Sequence, residues 1–497
     1  MVSRPRLRHI LKHSFFFLGL ASILWFFLRS GPKPTRAAYP CQQAAAAAGS
    51  LWIAAYIMPL LSIVVLKRHI NAGIKGFLIA ALAVSIAVSS AFVAFPGLAD
   101  SLAGPSLTPP GTVNLSFNST TASAGPASTI YVLDGWSGLN GIPDLINMTG
   151  DNGLLFYKSE TTGRNQGPTG LIGRNDTVLI KVNCQWPQRG GTNTDLVKGL
   201  IQAIVDHPDG FCGEVVVVDN GQGSGSFDWP EANAESHSQS IQAVVNSFDG
   251  SGYRVSTFLW DKIRNRAVKE YRSGQLKNGY VVAGLPDKIT KTLVAYPKFK
   301  TRYGTCISLK NGIWNASART YDNESLKLIN VPVLKTHSGM GVTGCLKHYV
   351  GVTAVALTDS RGHNIHPTIQ KGGMGSMLAH TRFPVLNILD ATWVNANPKG
   401  TDSNGPYTSY GAATHANVLI AGTDPVAIDY YAAKHVLMPA AAALGYSSLH
   451  SMNPDIKSED PTDFGRWIRP TKRELERHGF QVTMNETRMK VIVGGTP

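Results

Sequence analysis

The sequence lacks the short motifs that mark the most familiar catalytic and metal centres. Its 497 residues include only five cysteines, and no two of them form a Cys-x-x-Cys pair. It contains no His-Glu-x-x-His zinc motif and no Gly-x-Ser-x-Gly nucleophile elbow. These absences argue against zinc ribbons, metalloproteases of the His-Glu-x-x-His type and α/β-hydrolases.

Acidic residues are nearly absent from the first fifth of the chain. Residues 1–103 contain ten Lys or Arg and one acid, Asp100, whereas the other 394 residues contain 36 Lys or Arg and 31 Asp or Glu. The formal net charge of +14 therefore divides into +9 and +5. The second part carries too little positive charge, too widely scattered, to indicate a nucleic-acid partner.

Charge is also missing from two long apolar segments, residues 44–66 and 76–99, which contain 23 and 24 residues. Each exceeds the roughly 20 residues that a membrane-spanning helix needs. A shorter apolar run, residues 14–28, is either an uncleaved third span or the core of a signal peptide. With three spans, seven Lys or Arg flank one side of the membrane and three flank the other. By the positive-inside rule we expect residues 1–103 to be an integral membrane module of two to three helices in the lipid bilayer, with the rest of the chain outside the cytoplasm.

The remaining chain divides by composition into a linker and a folded domain. Residues 104–128 are uncharged and rich in Pro, Gly, Ser and Thr, which is typical of a flexible linker. Residues 129–450 read as an α/β domain, and residues 451–497 as a helix and a strand that complete it. Residues 280–318 are less regular and predict an inserted hairpin or lid. The four cysteines of the domain either form disulfides or remain free thiols.

Short runs rich in Val and Ile alternate with helical patterns in this domain. The runs are TIYVLDG, TVLIKVN, EVVVVDNG, LKLINVPVLKTH, FPVLNILDA and ANVLIAGTDP. Helical patterns occupy residues 194–206, 230–248 and 424–436. Continuous apolar runs suit strands buried on both faces, and their alternation with helices predicts an α/β fold with a mostly parallel sheet flanked by helices.

Polar residues follow the ends of these predicted strands, where open parallel sheets bind their ligands. They are Lys181, Asn183, Asp219, Asn220, Lys335, His337, Asp390 and Asp424. Two of the strand ends lead into glycine-containing loops: the first loop, QWPQRGGTNTD, comes after Lys181, and the second, THSGMGVTGCLKH, comes after Lys335. Free backbone N–H groups in such loops favour an anion. Asn193 or Thr194 in the first loop is equally well explained as a helix N-cap.

These residues lead to a hypothesis of an enzyme that acts on an anionic small molecule or headgroup. Lys181 and Lys335 would hold the anion, and His337 would act as general acid or base. Asp219, Asp390 and Asp424 would orient the substrate or a divalent ion. Two alternatives remain open: a divalent metal held by these aspartates with His337, His348, His363 and His366, and a non-catalytic binding or assembly module of the cell envelope.

The ordered motifs TVLIKVN, GGTNTD, VVVVDNG, KTHSGMGVTGCLKHYVG and TDPVAID resemble the family called domain of unknown function 362, over roughly residues 129–450. The resemblance implies the fold and the position of the site. Many family members carry ferredoxin-type cysteine clusters and this chain has none, so an iron–sulfur cluster is not expected. Where the family commonly has Lys-Asn, this chain has Lys347 and His348. The cofactor and any protein partner stay unknown.

The candidate residues that result fall into two groups. The catalytic candidates are His337, Lys335 and Asp219. The candidates for substrate binding are Lys181, Asn183, Thr194, Thr343, Lys347, Asp390 and Asp424.

Overall fold

The computed structural model describes Leu24 and residues 111–125, 128–136, 141–272, 275–362, 365–398 and 407–495. Apart from Leu24, the predicted membrane segments 14–28, 44–66 and 76–99 lie outside the described residues. Within the described ranges, no helix has both the length and the hydropathy needed to cross a membrane. Leu24 aside, the described residues belong to one compact unit, made of Thr108–Thr401 and Pro406–Pro497.

The described part of the chain forms strands and helices in a mixed α/β order. The strands are β1 (Ser128–Asp134), β2 (Tyr157–Lys158), β3 (Gln166–Gly167), β4 (Ile172–Gly173), β5 (Thr177–Lys181), β6 (Glu214–Asp219), β7 (Val255–Leu259), β8 (Ala267–Val268), β9 (Gly279–Val282), β10 (Ala295–Lys300), β11 (Cys306–Ser308), β12 (Gly312–Asn315), β13 (Thr320–Asp322), β14 (Leu326–Asn330), β15 (Val333–His337), β16 (Gly341–Thr343), β17 (Leu386–Asn395), β18 (Thr414–Gly422) and β19 (Met489–Gly495). The α-helices are α1 (Gly141–Asp151), α2 (Thr194–Val205), α3 (Ile241–Gly250), α4 (Val355–Asp359), α5 (Ile365–Ile369), α6 (Gly373–His380), α7 (Pro425–Ala432), α8 (Met438–Ala443) and α9 (Phe464–Arg477).

Ten of the described strands form one mixed sheet. Its order is β19-β1-β18-β17-β14-β5-β6-β7, with β15 paired to β17 and β16 paired to β15. The pairs β1–β18, β17–β18 and β15–β16 are antiparallel. The other six pairs of this sheet are parallel, so the sheet is mixed, and the prediction of a mostly parallel sheet fails where β18 and β16 enter it. A run of Val and Ile marks a buried strand, but it carries no information about the direction of the neighbouring strand.

The sheet has a hydrophobic core on each face, and β6 shows why. Its residues alternate between the two cores: Val215 and Val217 pack on one side, and Val216 and Val218 on the other. Successive side chains of a strand point to opposite faces, so the run EVVVVD is buried on both. This confirms the reading of such runs as strands covered on both sides.

A second sheet of six described strands follows β7. Its order is β13-β12-β11-β10-β9-β8, and all of its pairs are antiparallel except β8–β9. The predicted insertion at residues 280–318 is therefore the centre of a larger sheet that spans residues 267–322. The short strands β2, β3 and β4 form a third sheet.

Side-chain caps fix where several helices begin. Asn193 caps α2 by accepting hydrogen bonds from the N–H groups of Asp195 and Leu196. Ser240 caps α3 in the same way, so this helix begins at Ile241 and is shorter than the predicted 230–248. Asp424 caps α7, which continues through a π-helical turn, Ala433–Leu437, into α8.

Part of the predicted linker packs against the main sheet. The N–H of Val113 donates to the carbonyl of His415, and the N–H of Thr120 donates to the carbonyl of Val491. Val113 itself is buried in the core. Val113 and Thr120 of the predicted linker therefore belong to the folded domain.

The four cysteines among the described residues are free thiols. Cys184 and Cys345 are buried, Cys306 is partly buried and Cys212 is exposed.

Candidate functional site

Lys181 and Asp219 end the neighbouring parallel strands β5 and β6 and form a buried ion pair. The Nζ atom of Lys181 lies 2.8 Å from Oδ1 of Asp219, and both side chains are almost fully buried. The second carboxylate oxygen of Asp219 accepts the N–H of Cys184 at 2.8 Å. Burial lowers the pKa of Lys181 and the charge of Asp219 opposes that effect. Both residues lie where the strand ends predicted, but each neutralises the other, so Lys181 is not a free cation for a ligand.

A short 3₁₀ turn, Lys347–Gly351, closes over this ion pair. A Cβ atom at Gly351 would come within 2.7 Å of Oδ1 of Asp219 and 2.8 Å of Nζ of Lys181. Any larger residue would therefore displace the pair. Gly351, at one end of the turn, covers the ion pair, and Lys347 lies at the other end.

Lys335 and Lys347, which we call the lysine pair, are the buried cations that lie next to this ion pair. Lys335 is fully buried on β15, and its Nζ donates to the carbonyl of Gly190 at 2.7 Å. Burial, followed by the charge of Lys347, lowers the pKa of Lys335 to about 7. Burial lowers the pKa of Lys347 to about 8. Lys347 is 7% exposed, and among the described residues its ammonium group has no hydrogen-bond or ion-pair partner.

Hydrogen-bond donors without a partner surround Lys335. Thr343 pairs with Lys335 across the β15–β16 hairpin, and its buried hydroxyl has no partner in the described structure. Trp186 and Thr408 both approach Gly190, which accepts the bond from Lys335. The indole N–H of Trp186 and the hydroxyl of Thr408 are also buried without a partner in the described structure. Buried polar groups are usually hydrogen-bonded, so this concentration of unused donors indicates a place for an acceptor.

The histidines of this region differ in their state. Nδ1 of His337 accepts the N–H of Gly339 at 3.0 Å, which leaves the Nε2 proton available. Burial, followed by the charge of Lys347, holds the pKa of His337 well below its usual value, so the ring is neutral at pH 7. His348 is fully engaged, because its ring nitrogens contact Oδ1 of Asn330 and the carbonyl of Val182 at 2.7 and 2.9 Å. His337 can therefore donate a hydrogen bond from Nε2, and His348 joins the segment after β5 to β14.

The first glycine loop is held by protein acceptors. The N–H of Asn193 donates to Oδ2 of Asp390 at 2.9 Å, and the N–H of Thr194 donates to the carbonyl of Asn233. The hydroxyl of Thr194 accepts from Gln239. The N–H groups of Asn193 and Thr194 are therefore not available to a bound anion. The alternative, in which Asn193 is an N-cap, is confirmed.

Asn183 and Asp390 belong to the same bonded network. The N–H of Asn183 donates to the hydroxyl of Thr192, which in turn donates to the carbonyl of Val331. Asp390 accepts from Asn193 and, through Oδ1, from the N–H and the hydroxyl of Thr392. These bonds tie the loop to β14 and β17.

A further glycine-rich loop, residues 221–225 after β6, surrounds an aspartate that the sequence patterns did not reveal. The carboxylate of Asp261 accepts the N–H groups of Gly221 and Gly223 at 2.6 Å and that of Gly225 at 3.2 Å. A loop of this kind resembles a phosphate-binding nest, but its anion is part of the chain. The loop is therefore already occupied.

Asp429 holds the segment that carries Lys347. Its carboxylate accepts the N–H of Cys345 at 2.6 Å and that of Leu346 at 2.9 Å. Gly344 must be a glycine here, because a Cβ atom would lie 2.3 Å from Oδ1 of Asp429. Burial raises the pKa of Asp429 to about 7. The motif TDPVAID contains both aspartates, but a strand-end pattern selects the first, Asp424, and not the second, Asp429.

Asp424, that first aspartate, lies away from the lysine pair. Its Oδ1 accepts the N–H groups of Val426 and Ala427, and its Oδ2 accepts from Ser128 and Thr483. Because β18 runs antiparallel to β1 and β17, its carboxyl end meets their amino-terminal ends. Its contacts are those of a helix cap, and none of them reaches another of the predicted site residues.

The alternative of a metal at this edge finds no support in the geometry. Among the described residues, His337, His348 and His366 do not join Asp219, Asp390 or Asp424 in a group with the spacing of metal ligands. His363 lies outside the described residues.

The lysine pair does not line the hollow between α1 and α2. This hollow of about 190 Å³ is lined by residues such as Pro143, Tyr157 and Gln202. The lysine pair is distinguished by its chemistry instead. Among the described residues it combines a buried charge with several nearby buried donors that have no acceptor.

Residues 314–434 match the family model described as Domain of unknown function (DUF362). The match supports the resemblance over a shorter stretch than residues 129–450. It includes the lysine pair, His337, Thr343 and Asp429, whereas Lys181 and Asp219 precede it. No curated protein and no solved structure matches the chain.

Proposed function

We propose that this domain binds a small anionic group, a phosphate or a carboxylate, at the lysine pair and Thr343, and acts on the molecule that carries it. One observation supports this most directly: Lys347 is a buried ammonium group without a counter-charge among the described residues. Taking an unpaired charge out of water is strongly unfavourable. An anion would supply the missing charge, and the donors of Thr343, Trp186 and Thr408 would supply hydrogen bonds to it.

One group beside this anion could accept a proton near neutral pH, and a second could donate a hydrogen bond to the ligand. The pKa of Lys335 is about 7, which suits an amine acting as a general base. His337 is neutral and keeps a free Nε2 proton. These two groups favour an enzyme over the alternative of a non-catalytic binding module of the cell envelope. In both cases the basic flanks of the apolar segments in residues 1–103 support attachment to a membrane, with this domain outside the cytoplasm.

Replacing Lys347 with methionine is expected to weaken phosphate binding by at least about tenfold, because a charge-assisted contact contributes about 1.5–3 kcal/mol. The same change should raise the melting temperature of the ligand-free chain, since it removes an uncompensated buried charge. Isothermal titration calorimetry with inorganic phosphate and with malonate, together with thermal denaturation, measures both effects and distinguishes the two anions.

Lys298 provides the matched control. It is also a buried lysine, but its Nζ donates to the carbonyls of Lys269 and Gln275 at 2.8 and 2.9 Å. Lys298→Met should therefore lower the melting temperature and leave anion binding unchanged. If the wild-type chain binds neither anion, or if Lys347→Met binds as tightly as the wild type, the proposal is wrong.

Anion binding is also expected to weaken as the pH rises from 6 to 9. A lysine attracts an anion only in its ammonium form, which exists below its pKa. The pKa values are about 7 for Lys335 and about 8 for Lys347, so the decline begins near pH 7. It should reach about tenfold per pH unit for each lysine that has lost its proton. Titration with sulfate, which stays doubly charged over this range, measures it. Binding that is constant to pH 9 would contradict the assignment.

A further inference from the structure

Asp287, His380 and His478 come together on a different part of the surface, although they are widely separated in sequence. Asp287 lies in the loop between β9 and β10, His380 is the last residue of α6, and His478 is the C-cap of α9. One ligand atom from each residue lies within 4.8 Å of the others. Among the described residues, this is the group of three whose spacing suits a metal ion. We call it the Asp–His–His group.

Helix packing holds the two imidazole rings against each other. The ring centroids of His380 and His478 are 4.4 Å apart at an interplanar angle of 80°. Ser376 of α6 donates to Glu474 of α9 at 2.9 Å, which fixes the two helices one turn before their ends. Both rings therefore lie at helix C-termini, where the backbone carbonyl groups favour a cation.

The carboxylate is fixed with equal care. Oδ1 of Asp287 accepts the N–H groups of Ile289 and Thr290 at 2.8 and 2.7 Å. Burial acts against ionisation, but these N–H groups lower the pKa of Asp287, so it is ionised at neutral pH. Burial and the neighbouring His478 lower the pKa of His380, so its ring is neutral and can offer a lone pair. A carboxylate with two imidazoles is a donor set that suits Zn²⁺ and similar ions.

The charged neighbours of the group set its balance. Arg477 contacts Oδ2 of Asp287 at 3.3 Å and Glu474 at 2.7 Å, and Lys310 adds a positive charge near His380. Glu474 lies 3.2 Å from Nε2 of His478 and could serve as a fourth ligand. Arg477 also contacts Nε2 of His478 at 3.1 Å, and because it is 41% exposed it can release its contacts to Asp287 and His478 and keep the shorter one to Glu474.

From this arrangement we infer that the Asp–His–His group binds a divalent transition-metal ion, with Zn²⁺ the best fit to the donors. Protein ligands bind Zn²⁺ at about 2.0–2.2 Å, so the three donor atoms need to close by about 1 Å from their present spacing. The three ligands are partly exposed, which leaves the ion open to water. The ion would tie the loop after β9 to the ends of α6 and α9. This site is independent of the lysine pair and of the function proposed there.

The test measures Zn²⁺ binding to the full chain after removal of metal with a chelator. Competition with a chromophoric chelator gives the affinity and the stoichiometry, and the visible spectrum of the Co²⁺ form reports imidazole coordination. One equivalent of Zn²⁺ is expected. The double variant His380→Ala/His478→Ala should lose more than the about 10–100-fold that removal of an outer-shell partner typically causes. Arg477→Gln should bind Zn²⁺ more tightly, because a competing positive charge is gone.

The matched control removes two other surface histidines. His435 contacts Glu486 and His450 contacts Asp463, so His435→Ala/His450→Ala deletes the same number of imidazoles next to carboxylates. It should retain the wild-type affinity. Circular dichroism of each metal-free variant establishes that it is folded, and the single variants His380→Asn and His478→Asn replace the double variant if it is not. The inference is overturned if the wild type binds less than one equivalent, if the site variants bind as the wild type does, or if the control loses as much affinity as they do.

Discussion

Replacing Asp219 with alanine is expected to lower the free energy of unfolding by about 3–5 kcal/mol. Its carboxylate is the counter-charge of Lys181, 2.8 Å away, and both side chains are almost fully buried. Without it, Lys181 must keep an uncompensated charge or give up its proton, and the N–H of Cys184 loses its acceptor. Chemical denaturation of the full chain, followed by tryptophan fluorescence and circular dichroism, measures the loss.

Two further variants show whether the loss comes from the unpaired charge. The double variant Lys181→Met/Asp219→Leu should recover most of the stability, because apolar side chains of similar volume can replace a buried ion pair. Asp151→Ala removes the carboxylate from a pair with Arg164 in which both side chains are about half exposed, and it should cost much less stability. An Asp219→Ala variant no less stable than Asp151→Ala would mean that the buried pair contributes nothing.

Replacing Asp429 with alanine is expected to affect both stability and binding. The N–H groups of Cys345 and Leu346 would lose their acceptor in the interior, at about 1–3 kcal/mol for each. The segment that carries Lys347 would then be held less firmly, so phosphate binding should weaken even though both lysines remain. Denaturation gives the first effect, and calorimetric titration of the same sample with phosphate gives the second.

Asp424→Ala is the control for this change, because it alters the same helix. Asp424 caps α7 and also accepts from Thr483, so its loss should destabilise the chain by the about 0.5–2 kcal/mol typical of a cap, or somewhat more. Phosphate binding should not change, since Asp424 lies away from the lysine pair. If both variants lose binding in proportion to their lost stability, Asp429 has no special part in positioning Lys347.

The sequence predicts the strands and the polar ends of β5, β6 and β15 well, because their physical signals are local. A run such as EVVVVD is buried whatever surrounds it, and its last residue must return to a polar environment. Lys181, Asp219 and Lys335 were therefore found. That Lys181 is neutralised by Asp219 could not be found in this way, because the pairing depends on β5 and β6 being neighbours.

Direction and partnership are the properties that local patterns omit. Asp424 follows a strand-like run just as Asp390 does, but β18 is antiparallel and takes Asp424 to the other end of its neighbours. Asp261 lies two residues after β7, whose sequence VSTFL alternates apolar and polar residues and is not one of the continuous apolar runs, and it was missed for that reason. The Asp–His–His group was missed because its members are about a hundred residues apart and form no spaced motif.

Five aspartates of this domain accept hydrogen bonds from backbone N–H groups, and only some of them lie at strand ends. They are Asp219, Asp261, Asp390, Asp424 and Asp429. The chain thus carries its own hydrogen-bond acceptors, each fastening one loop, in positions where other α/β proteins bind a cofactor or substrate. An aspartate that persists among relatives of this protein is accordingly weak evidence of chemistry, because loop architecture alone would preserve it. The diagnostic residue to trace is Lys347, whose charge has no structural duty that would keep it.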